Sequence, residues 1–265
     1  MRGGRRELKR VLAGLGRRGA PSGASVLIYH RVGGGSPDER DMRAEDFEAQ
    51  LDLLTAAADV VSLDDALDRL AAHDPSPSVV LTFDDGFEDV YRNAWPLLKA
   101  RGMPFVVYLC SSFVGGTMHW DGSTAKAAGP ALTWHQLQEM VGTGLCTVGN
   151  HTDTHCVPHR LTTDELDRCT TEIERRLEVT PRHFAWTWGV PVPALQAQLA
   201  ERFESCATGI VGRNLPGCDP QTLRRIPVRG TDPLPFFEAK VAGSLLPEMA
   251  YERIVSTAKK VGLRA

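Results

Sequence analysis

The stretch that decides the fold reads Val79-Val80-Leu81-Thr82-Phe83-Asp84-Asp85-Gly86. Its continuous apolar run is typical of a strand that is buried on both faces, as strands of a parallel sheet are. Asp84 and Asp85 end the run, and Gly86 allows the chain to turn sharply. In α/β barrels the C-terminal ends of such strands form the mouth where active sites lie. Both aspartates could instead cap the helix predicted to follow, and this stretch alone favours neither interpretation.

Strand-like and helix-like runs alternate along the rest of the sequence. Runs of strand character cover Val26–Tyr29, Asp59–Ser62, Val79–Phe83, Phe105–Leu109, Cys146–Gly149, His183–Trp186, Ser205–Gly209 and Arg224–Val228. Runs of helical periodicity cover Ala44–Ala57, Leu63–His73, Glu88–Arg101, Trp134–Val141, Thr163–Glu178 and Pro193–Arg202, and a helical tail begins at Leu234. This alternation predicts a parallel sheet, either open or closed into a barrel.

The composition is that of an ordinary globular protein. The 265 residues are 42% apolar and 24% charged, which excludes a disordered or fibrous chain. The net charge is −3, but residues 1–20 hold seven Lys/Arg and one Glu, so the remaining residues carry −9. An acidic body of this kind argues against nucleic acid as a partner.

The sequence also favours a cytoplasmic location. No run reaches the ~18 apolar residues of a membrane span, and the apolar run Val11–Gly16 is too short for a secretory signal. The six cysteines are scattered without a C-x-x-C pair, which predicts small core residues in a reducing compartment.

Residues 1–20 are predicted to form a basic amphipathic segment in front of a single domain over residues 21–265. An apolar stripe recurs there at helical spacing, formed by Leu8, Val11, Leu12 and Leu15. Two interpretations remain open. The helix packs on the surface of the domain, or it makes a peripheral contact with an anionic membrane.

A second polar cluster, Gly149-Asn150-His151-Thr152-Asp153-Thr154-His155, follows another strand-like run. Histidines four residues apart share one face of a helical turn and can bind the same metal ion. Asp85 would complete a set of two imidazoles and one carboxylate, which leaves open positions for water. Beside a strand that ends in two aspartates, this spacing favours a divalent metal site over surface histidines.

The two aspartates would then have different tasks. A metal ion lowers the pKa of a bound water toward ~7 and polarises a carbonyl oxygen. One carboxylate is used as a ligand, and the other must stay off the metal to act as the general base that accepts the proton of the water. An amine leaving group also needs a proton donor, most naturally a histidine. The residues therefore predict metal-assisted hydrolysis of an amide or an ester.

Two of these segments resemble a known family. Thr82-Phe83-Asp84-Asp85-Gly86 and His151-Thr152-Asp153-Thr154-His155 are similar to the first two motifs of the polysaccharide deacetylases, the NodB homology domain of carbohydrate esterase family four. The resemblance covers residues 24–245. It implies a distorted (β/α) barrel of about seven strands, with a divalent metal that is usually zinc, while cobalt, nickel, manganese and iron remain alternatives. It also implies removal of acetyl groups from N-acetylated sugars, with Asp84 as base and Asp85, His151 and His155 as ligands.

A third motif matches less well. Phe184-Ala185-Trp186-Thr187-Trp188-Gly189 resembles a segment in which the backbone N–H at the position of Trp188 helps to hold the oxyanion. Thr187 replaces the usual proline, and Ala185 stands where many members have an arginine that braces the base. Bracing is therefore expected from Arg225 or Arg229.

The same resemblance suggests which residues contact the sugar. We expect Trp186, Trp120 and Arg229 to line the substrate site. Of the two neighbouring tryptophans, Trp186 and Trp188, one is expected to pack in the core and the other to stack on a sugar ring. Trp120 lies in the segment His119-Trp120-Asp121 of a Gly- and Ser-rich loop, which could equally be solvated.

The proton donor is predicted at the start of the domain. Most family members carry a catalytic histidine near the C-terminus, but this chain has none after His183. Val26-Leu27-Ile28-Tyr29-His30 has the same form, an apolar strand run that ends in histidine. Because a closed barrel makes its first and last strands neighbours, His30 can fill that place, as in circularly permuted members. The alternative is a structural histidine held by its neighbours Tyr29 or Arg31.

The sequence thus predicts a catalytic domain that removes an N-acetyl group from an acetylated amino sugar, glycoside or glycan precursor. A glycan-binding member of the same fold without turnover is the alternative. A non-haem iron oxygenase shares the two-histidine, one-carboxylate set. It usually has an antiparallel β scaffold, which the alternation of strands and helices disfavours.

Overall fold

The strand predicted over Val79–Phe83 is one of seven parallel strands that close into a barrel in the computed structural model, which describes residues 2–16, 21–120 and 128–260. The barrel strands are β1 (Ala24–Tyr29), β2 (Ser78–Asp85), β3 (Phe105–Leu109), β4 (Cys146–Asn150), β5 (His183–Ala185), β6 (Ser205–Val211) and β7 (Leu223–Pro227). Their order around the barrel follows the chain, and β1 pairs with both β2 and β7. The predicted barrel, and the adjacency of its first and last strands, are confirmed.

The helices surround this barrel. They are α1 (Arg2–Ala13), α2 (Ala44–Ala57), α3 (Leu63–Ala71), α4 (Trp95–Arg101), α5 (Trp134–Val141), α6 (Thr163–Leu177), α7 (Gln196–Ala200), α8 (Leu234–Val241) and α9 (Leu246–Lys260). Two small sheets pair Arg31–Val32 with Asp41–Met42 and Thr117–Met118 with Gly129–Pro130. Single 3₁₀ turns cover Ser111–Phe113, Pro158–Arg160, Thr187–Gly189, Pro193–Leu195 and Pro220–Thr222. Helices α2 and α5 begin and end where the sequence predicts.

One predicted strand, Asp59–Ser62, is wrong. Val60 makes a single bridge to Val79 and does not extend into a barrel strand. Ser62 is instead the N-cap of α3, where its hydroxyl accepts a hydrogen bond from the Asp65 amide at 3.0 Å. An N-cap residue has extended backbone dihedrals, so the start of a helix accounts for the strand-like end of this run.

The helix predicted over Glu88–Arg101 is divided in two. A π-helical turn covers Val90–Ala94, and α4 follows with Pro96 in its first turn. Pro96 has no N–H to donate to the preceding turn. The Trp95 amide bonds to the Val90 carbonyl five residues back. This wider, π-helical turn accommodates the hydrogen bond that Pro96 cannot make.

Apolar side chains fill the barrel interior near the ends where the strands begin. Every position of β2 is buried, as its continuous apolar run predicts. Inside the barrel Val26, Val80 and Val106 form a cluster that also includes Leu63 and Leu70 of α3. Because α3 packs against the ends where the strands begin, the polar residues at the ends of the strands lie at the opposite face.

Helix α1 packs on the body of the protein. Leu12 is buried against Phe236 and Tyr251, and Leu8 is partly buried there, whereas Val11 and Leu15 are 70% and 52% exposed. The packed-helix interpretation therefore accounts for half of the apolar stripe. Residues 17–20, the end of the predicted N-terminal segment, lie outside the described residues.

The basic side chains of α1 are paired within the molecule. Four ion pairs join Arg5 to Glu39, Arg6 to Asp46, Lys9 to Asp232 and Arg10 to Glu7. The positive charge that the sequence suggests for this segment is thus neutralised at these four positions.

Two further expectations concern compartment and cysteines. No helix within residues 2–16, 21–120 and 128–260 is long and apolar enough to cross a membrane. All six cysteines are free thiols, and four of them are buried, as expected for core residues. Burial raises the pKa of Cys156 to about 11, so this thiol is not activated by the nearby histidines.

Candidate metal centre and active site

The two aspartates at the end of β2 face different partners. Asp85 has a φ of 76° and Gly86 a φ of 102°, so the chain turns sharply here, as predicted. A Cβ on Gly86 would lie 2.7 Å from Leu109 Cδ1, so Leu109 would have to shift, and the positive φ itself favours glycine. Asp84 bonds to Arg225, and Asp85 faces His151 and His155. The interpretation that both carboxylates cap the next helix is wrong.

The histidines after β4 lie in a loop, not in the helical turn that their spacing suggested. Positive φ angles at Thr152 (70°) and His155 (51°) bend this loop back toward β2. The Nε2 atoms of His151 and His155 lie 3.5 Å and 3.4 Å from Asp85 Oδ1. One ligand atom from each of the three buried residues lies within 4.8 Å of the others. The structure therefore brings together the three residues predicted as metal ligands.

The two imidazoles are held in different ways. His151 Nδ1 donates to the Ala185 carbonyl at 2.8 Å, which leaves Nε2 as the free ring nitrogen toward Asp85. His155 Nδ1 has no hydrogen-bond partner within the described part of the chain. Its ring packs instead against Trp120, with the ring centroids 4.2 Å apart.

The ionised carboxylate of Asp85 suits a cation. Burial alone would raise the pKa of Asp85, but hydrogen bonds from His151 and His155 hold it well below its usual value. Burial would lower the pKa of His151, but Asp85 and Asp84 raise it above the usual value. An ionised carboxylate and two imidazole nitrogens that converge in a buried site match the donor set of a three-ligand divalent metal centre.

Asp84 is held by Arg225, which comes from β7. The guanidinium donates to both carboxylate oxygens, at 2.7 Å and 2.9 Å, and to the Thr208 carbonyl at 2.9 Å. Arg225 is 1% exposed, and its guanidinium lies 5.5 Å from the ring of Tyr108. Burial would raise the pKa of Asp84, but Arg225 and, to a lesser extent, His151 lower it. Of the two arginines that the sequence offered as a brace, the structure selects Arg225.

His30 follows β1 and lies beside this pair of aspartates. It lines a cavity of about 10 Å³ together with Asp38, Arg40, Asp85 and Phe87. Burial lowers the pKa of His30, and the nearby carboxylates of Asp85 and Asp84 partly oppose that shift. The first strand therefore places an imidazole on the same side of the barrel mouth as Asp85.

An aromatic wall continues on the other side of His155. Trp120 is 7% exposed and packs between Phe87 and Phe113, at centroid distances of 6.3 Å and 6.1 Å. Trp120, Phe113 and His155 line a cavity of about 400 Å³. Trp120 thus lies beside His155, while Asp121 lies outside the described residues. Phe113 carried no sequence signal, because its position depends on packing against Trp120.

The third motif, residues 184–189, contacts the loop that carries His151 and His155. Trp188 has a φ of 61°, is 36% exposed, and its ring lies 5.6 Å from that of His155. Thr187, which replaces the usual proline, donates from Oγ1 to the Cys156 carbonyl at 2.8 Å. This bond fixes the turn that carries Trp188 against the loop that carries His155.

Two expectations for substrate contacts are corrected. Trp186 is 1% exposed and packs edge-on against Phe184 at 5.3 Å, so it belongs to the core and not to the cleft. Arg229 bonds to Glu248 and lies 3.8 Å from Glu39. Its guanidinium is engaged in this ion-pair cluster, not turned toward the histidines.

Comparison with known proteins agrees with this geometry. The family model described as polysaccharide deacetylase matches residues 71–202. IcaB from Ammonifex degensii is 31% identical, with a TM-score of 0.72 over 84% of this chain and 97% of that chain. BA0330 from Bacillus anthracis, assigned to the polysaccharide deacetylases, is 19% identical with a TM-score of 0.70 over 82% of this chain and 68% of its own. That likeness is one of fold.

A curated relative is YxkH of Bacillus subtilis (strain 168), also assigned to the polysaccharide deacetylases. It is 27% identical over 145 residues, which are 54% of this chain. The match spans 47% of YxkH, so this chain corresponds to about half the length of that relative.

Proposed function

The chain belongs to the polysaccharide deacetylase family, and on that basis we propose that it is a metal-dependent N-deacetylase. Its substrate would be an N-acetylated amino sugar within a glycan, a glycoside or a glycan precursor. One observation carries the proposal. Asp85, His151 and His155 converge in one buried site while Asp84, the adjacent carboxylate, is held apart from them by Arg225.

Asp85, His151 and His155 would hold the metal ion. Two imidazoles and one carboxylate suit zinc first, with cobalt, nickel, manganese or iron as alternatives. When bound, such an ion would act as a Lewis acid and make water a stronger nucleophile. The hydrogen bond from His151 to Ala185 supports this assignment, because ligating histidines usually donate their other ring N–H to such an acceptor.

Asp84 would be the general base. Both of its oxygens accept hydrogen bonds from Arg225, which keeps the carboxylate ionised and fixes its orientation. A carboxylate held in this way can accept the proton of the attacking water without becoming a ligand itself. The backbone N–H of Trp188 would support the negative oxygen that develops on the carbonyl.

His30 would be the general acid that protonates the departing amine. It lies beside Asp85 at the end of β1, and the closed barrel makes β1 a neighbour of β7. The first strand can therefore supply the histidine that other family members carry near the C-terminus. We propose that this chain is of the circularly permuted type on that ground.

The test combines metal analysis with acetate release from N-acetylglucosamine and its β-1,4-linked oligomers. The wild-type protein should hold about one divalent metal per chain and release acetate. His151→Ala should lose both the metal and turnover, because one of three protein ligands is gone. Asp84→Asn should keep the metal and lose ~10²–10⁴-fold in kcat.

Two outcomes would contradict the proposal. Full metal content in His151→Ala protein would mean that the ion binds elsewhere. Wild-type protein that binds the oligomers without releasing acetate would favour the glycan-binding alternative.

A further inference from the structure

Helix α1 is fixed to the body of the protein by a buried ion pair. Lys9 Nζ lies 2.6 Å from Asp232 Oδ1 and also donates to the Thr231 hydroxyl at 2.9 Å. The side chains of Lys9 and Asp232 are both 0% exposed. A buried charge without its partner is strongly unfavourable, so this pair holds α1 in one position on the segment that follows β7.

From that position, the N-terminal half of α1 reaches the segment between the two short strands Arg31–Val32 and Asp41–Met42. Arg5 pairs with Glu39 of this segment at 2.9 Å. The next residue, Arg6, donates to both carboxylate oxygens of Asp46, each at 3.1 Å, in the first turn of α2. Helix α1 therefore holds both residues 33–41 and the start of the helix that follows them.

Glu39 contacts both α1 and the chain that follows β7. Its carbonyl accepts from the Gly230 amide at 2.7 Å, and its carboxylate pairs with Arg5 and lies 3.8 Å from Arg229. A Cβ on Gly230 would lie 2.5 Å from the Asp41 carbonyl, so the two backbones are in direct contact here. Residues 33–41 are thus held by α1 on one side and by the chain after β7 on the other.

The same segment forms the wall around His30. Asp38 and Arg40, the two neighbours of Glu39, line the 10 Å³ cavity with His30 and Asp85. They also bond to each other, through Arg40 Nε and Nη2, at 3.0 Å and 2.7 Å. A displacement of Glu39 would therefore also displace Asp38 and Arg40, whose side chains line the cavity with His30.

Residues 33–41 are held by polar contacts and contribute no side chain to the apolar core. The segment contains Gly33, Gly34 and Gly35, and none of its members belongs to the apolar core clusters found among the described residues. Polar bonds such as those from the Gly34 and Ser36 amides to Asp41 hold its fold. Because polar contacts set the position of these residues, the ion pair from α1 contributes directly to it.

We propose that α1 positions the wall of the active site at His30, with Arg5 and Glu39 as positioning residues. This inference rests on the proposed function, in which His30 is the general acid. Residues 2–16 are then a working part of the catalytic domain.

The test compares Glu39→Gln with Glu7→Gln, a matched control on an exposed pair of the same helix (Arg10–Glu7, side chains 60% and 64% exposed). Amide hydrogen exchange, kcat, KM and metal content are measured for each variant. Glu39→Gln should speed exchange within residues 33–41 and lower kcat by about 3- to 10-fold, because small displacements of a catalytic group slow turnover. KM and metal content should not change, and Glu7→Gln should match the wild type.

Two further variants separate positioning from general stability. Arg5→Lys should retain wild-type kcat, since lysine can still pair with Glu39, and Arg5→Gln should resemble Glu39→Gln. The double variant should lose no more than either single one, because both remove the same pair.

Three results for Glu39→Gln would overturn the inference. The first is an exchange rate and a kcat equal to those of Glu7→Gln. The second is faster exchange over the whole protein, and the third is a loss of metal together with the loss of turnover. If the wild type released no acetate, the proposed function would fail, and the exchange data alone would decide whether α1 holds residues 33–41.

Discussion

Asp84 and Arg225 form a buried ion pair between two strands of the barrel. Arg225 comes from β7, whereas many relatives are expected to place their bracing arginine where this chain has Ala185. The guanidinium lowers the pKa of Asp84 against the opposing effect of burial. A base must be ionised to work, so in the proposed mechanism Arg225 would extend the activity of Asp84 to lower pH.

Replacing Arg225 with Gln should therefore raise the pKa of Asp84. The acid limb of the kcat profile should move to higher pH, and kcat at neutral pH should fall by ~10-fold or more, because the carboxylate also loses its orientation. The pH–rate profile measures both effects. Arg224→Gln is the matched control, since Arg224 is the exposed neighbour on the same strand. An acid limb that stays in place in Arg225→Gln would show that another group sets it.

His30 gives a second prediction at this scale. His30→Asn should keep the metal and the fold and lose ~10²–10⁴-fold in kcat, since the departing amine loses its proton donor. The alkaline limb of the pH–rate profile should disappear, because that limb reports a group that must be protonated. His159→Asn, at an exposed histidine, serves as the control. Near-normal turnover in His30→Asn would support the alternative of a structural histidine.

Among the elements, the loop that carries the histidines shows where sequence patterns stop being informative. The spacing of His151 and His155 correctly suggested that they lie together, but it wrongly suggested a helical turn. The actual loop has positive φ at Thr152 and His155. Its shape depends on bonds that are distant in sequence, such as that from Thr187 Oγ1 to the Cys156 carbonyl. A periodicity of four residues contains no information about such partners.

Helix α1 allows a prediction about membranes. Val11 and Leu15 are exposed, but the basic residues Arg5, Arg6 and Lys9 pair with acidic groups of the body. Because little free positive charge remains on these turns, we expect the full-length protein to stay in the supernatant with anionic liposomes. Co-sedimentation measures this directly. Sedimentation that the Val11→Asp/Leu15→Asp variant abolishes would establish the membrane contact instead.

At the scale of the whole molecule, the sequence predicted what depends on patterns along the chain. The alternation of strands and helices predicted a parallel sheet, and the family resemblance implied its closure into a barrel. The motifs predicted which residues meet at its mouth, as the convergence of Asp85, His151 and His155 shows. The errors concern relations across the fold. Trp186 is as apolar as Trp188 in sequence, but Trp186 faces Phe184 in the core. Arg229 is four residues from Arg225, but it turns toward α9 and Glu248.

The largest feature that the sequence did not suggest is a buried network of charges between α1, α8 and α9. Lys240 pairs with Asp232 at 2.7 Å and with Glu248 at 2.8 Å, and Lys9 pairs with Asp232 from α1. The side chains of these four residues are 0% exposed. Removing one member leaves an uncompensated charge out of water, which makes the network a strong link between the first helix and the last two.

Lys9→Met should therefore lower the free energy of unfolding substantially. Breaking a buried pair costs about 3–5 kcal/mol, and we expect the lower end, about 3 kcal/mol, because Asp232 keeps Lys240 as a partner. Denaturant unfolding measures the loss. Arg10→Gln, which breaks the exposed pair with Glu7 on the same helix, should change stability by no more than about 0.5 kcal/mol. Equal stability of Lys9→Met and Arg10→Gln would mean that the helix is held by its apolar contacts with Phe236 and Tyr251 and that the buried ion pair contributes nothing to its docking.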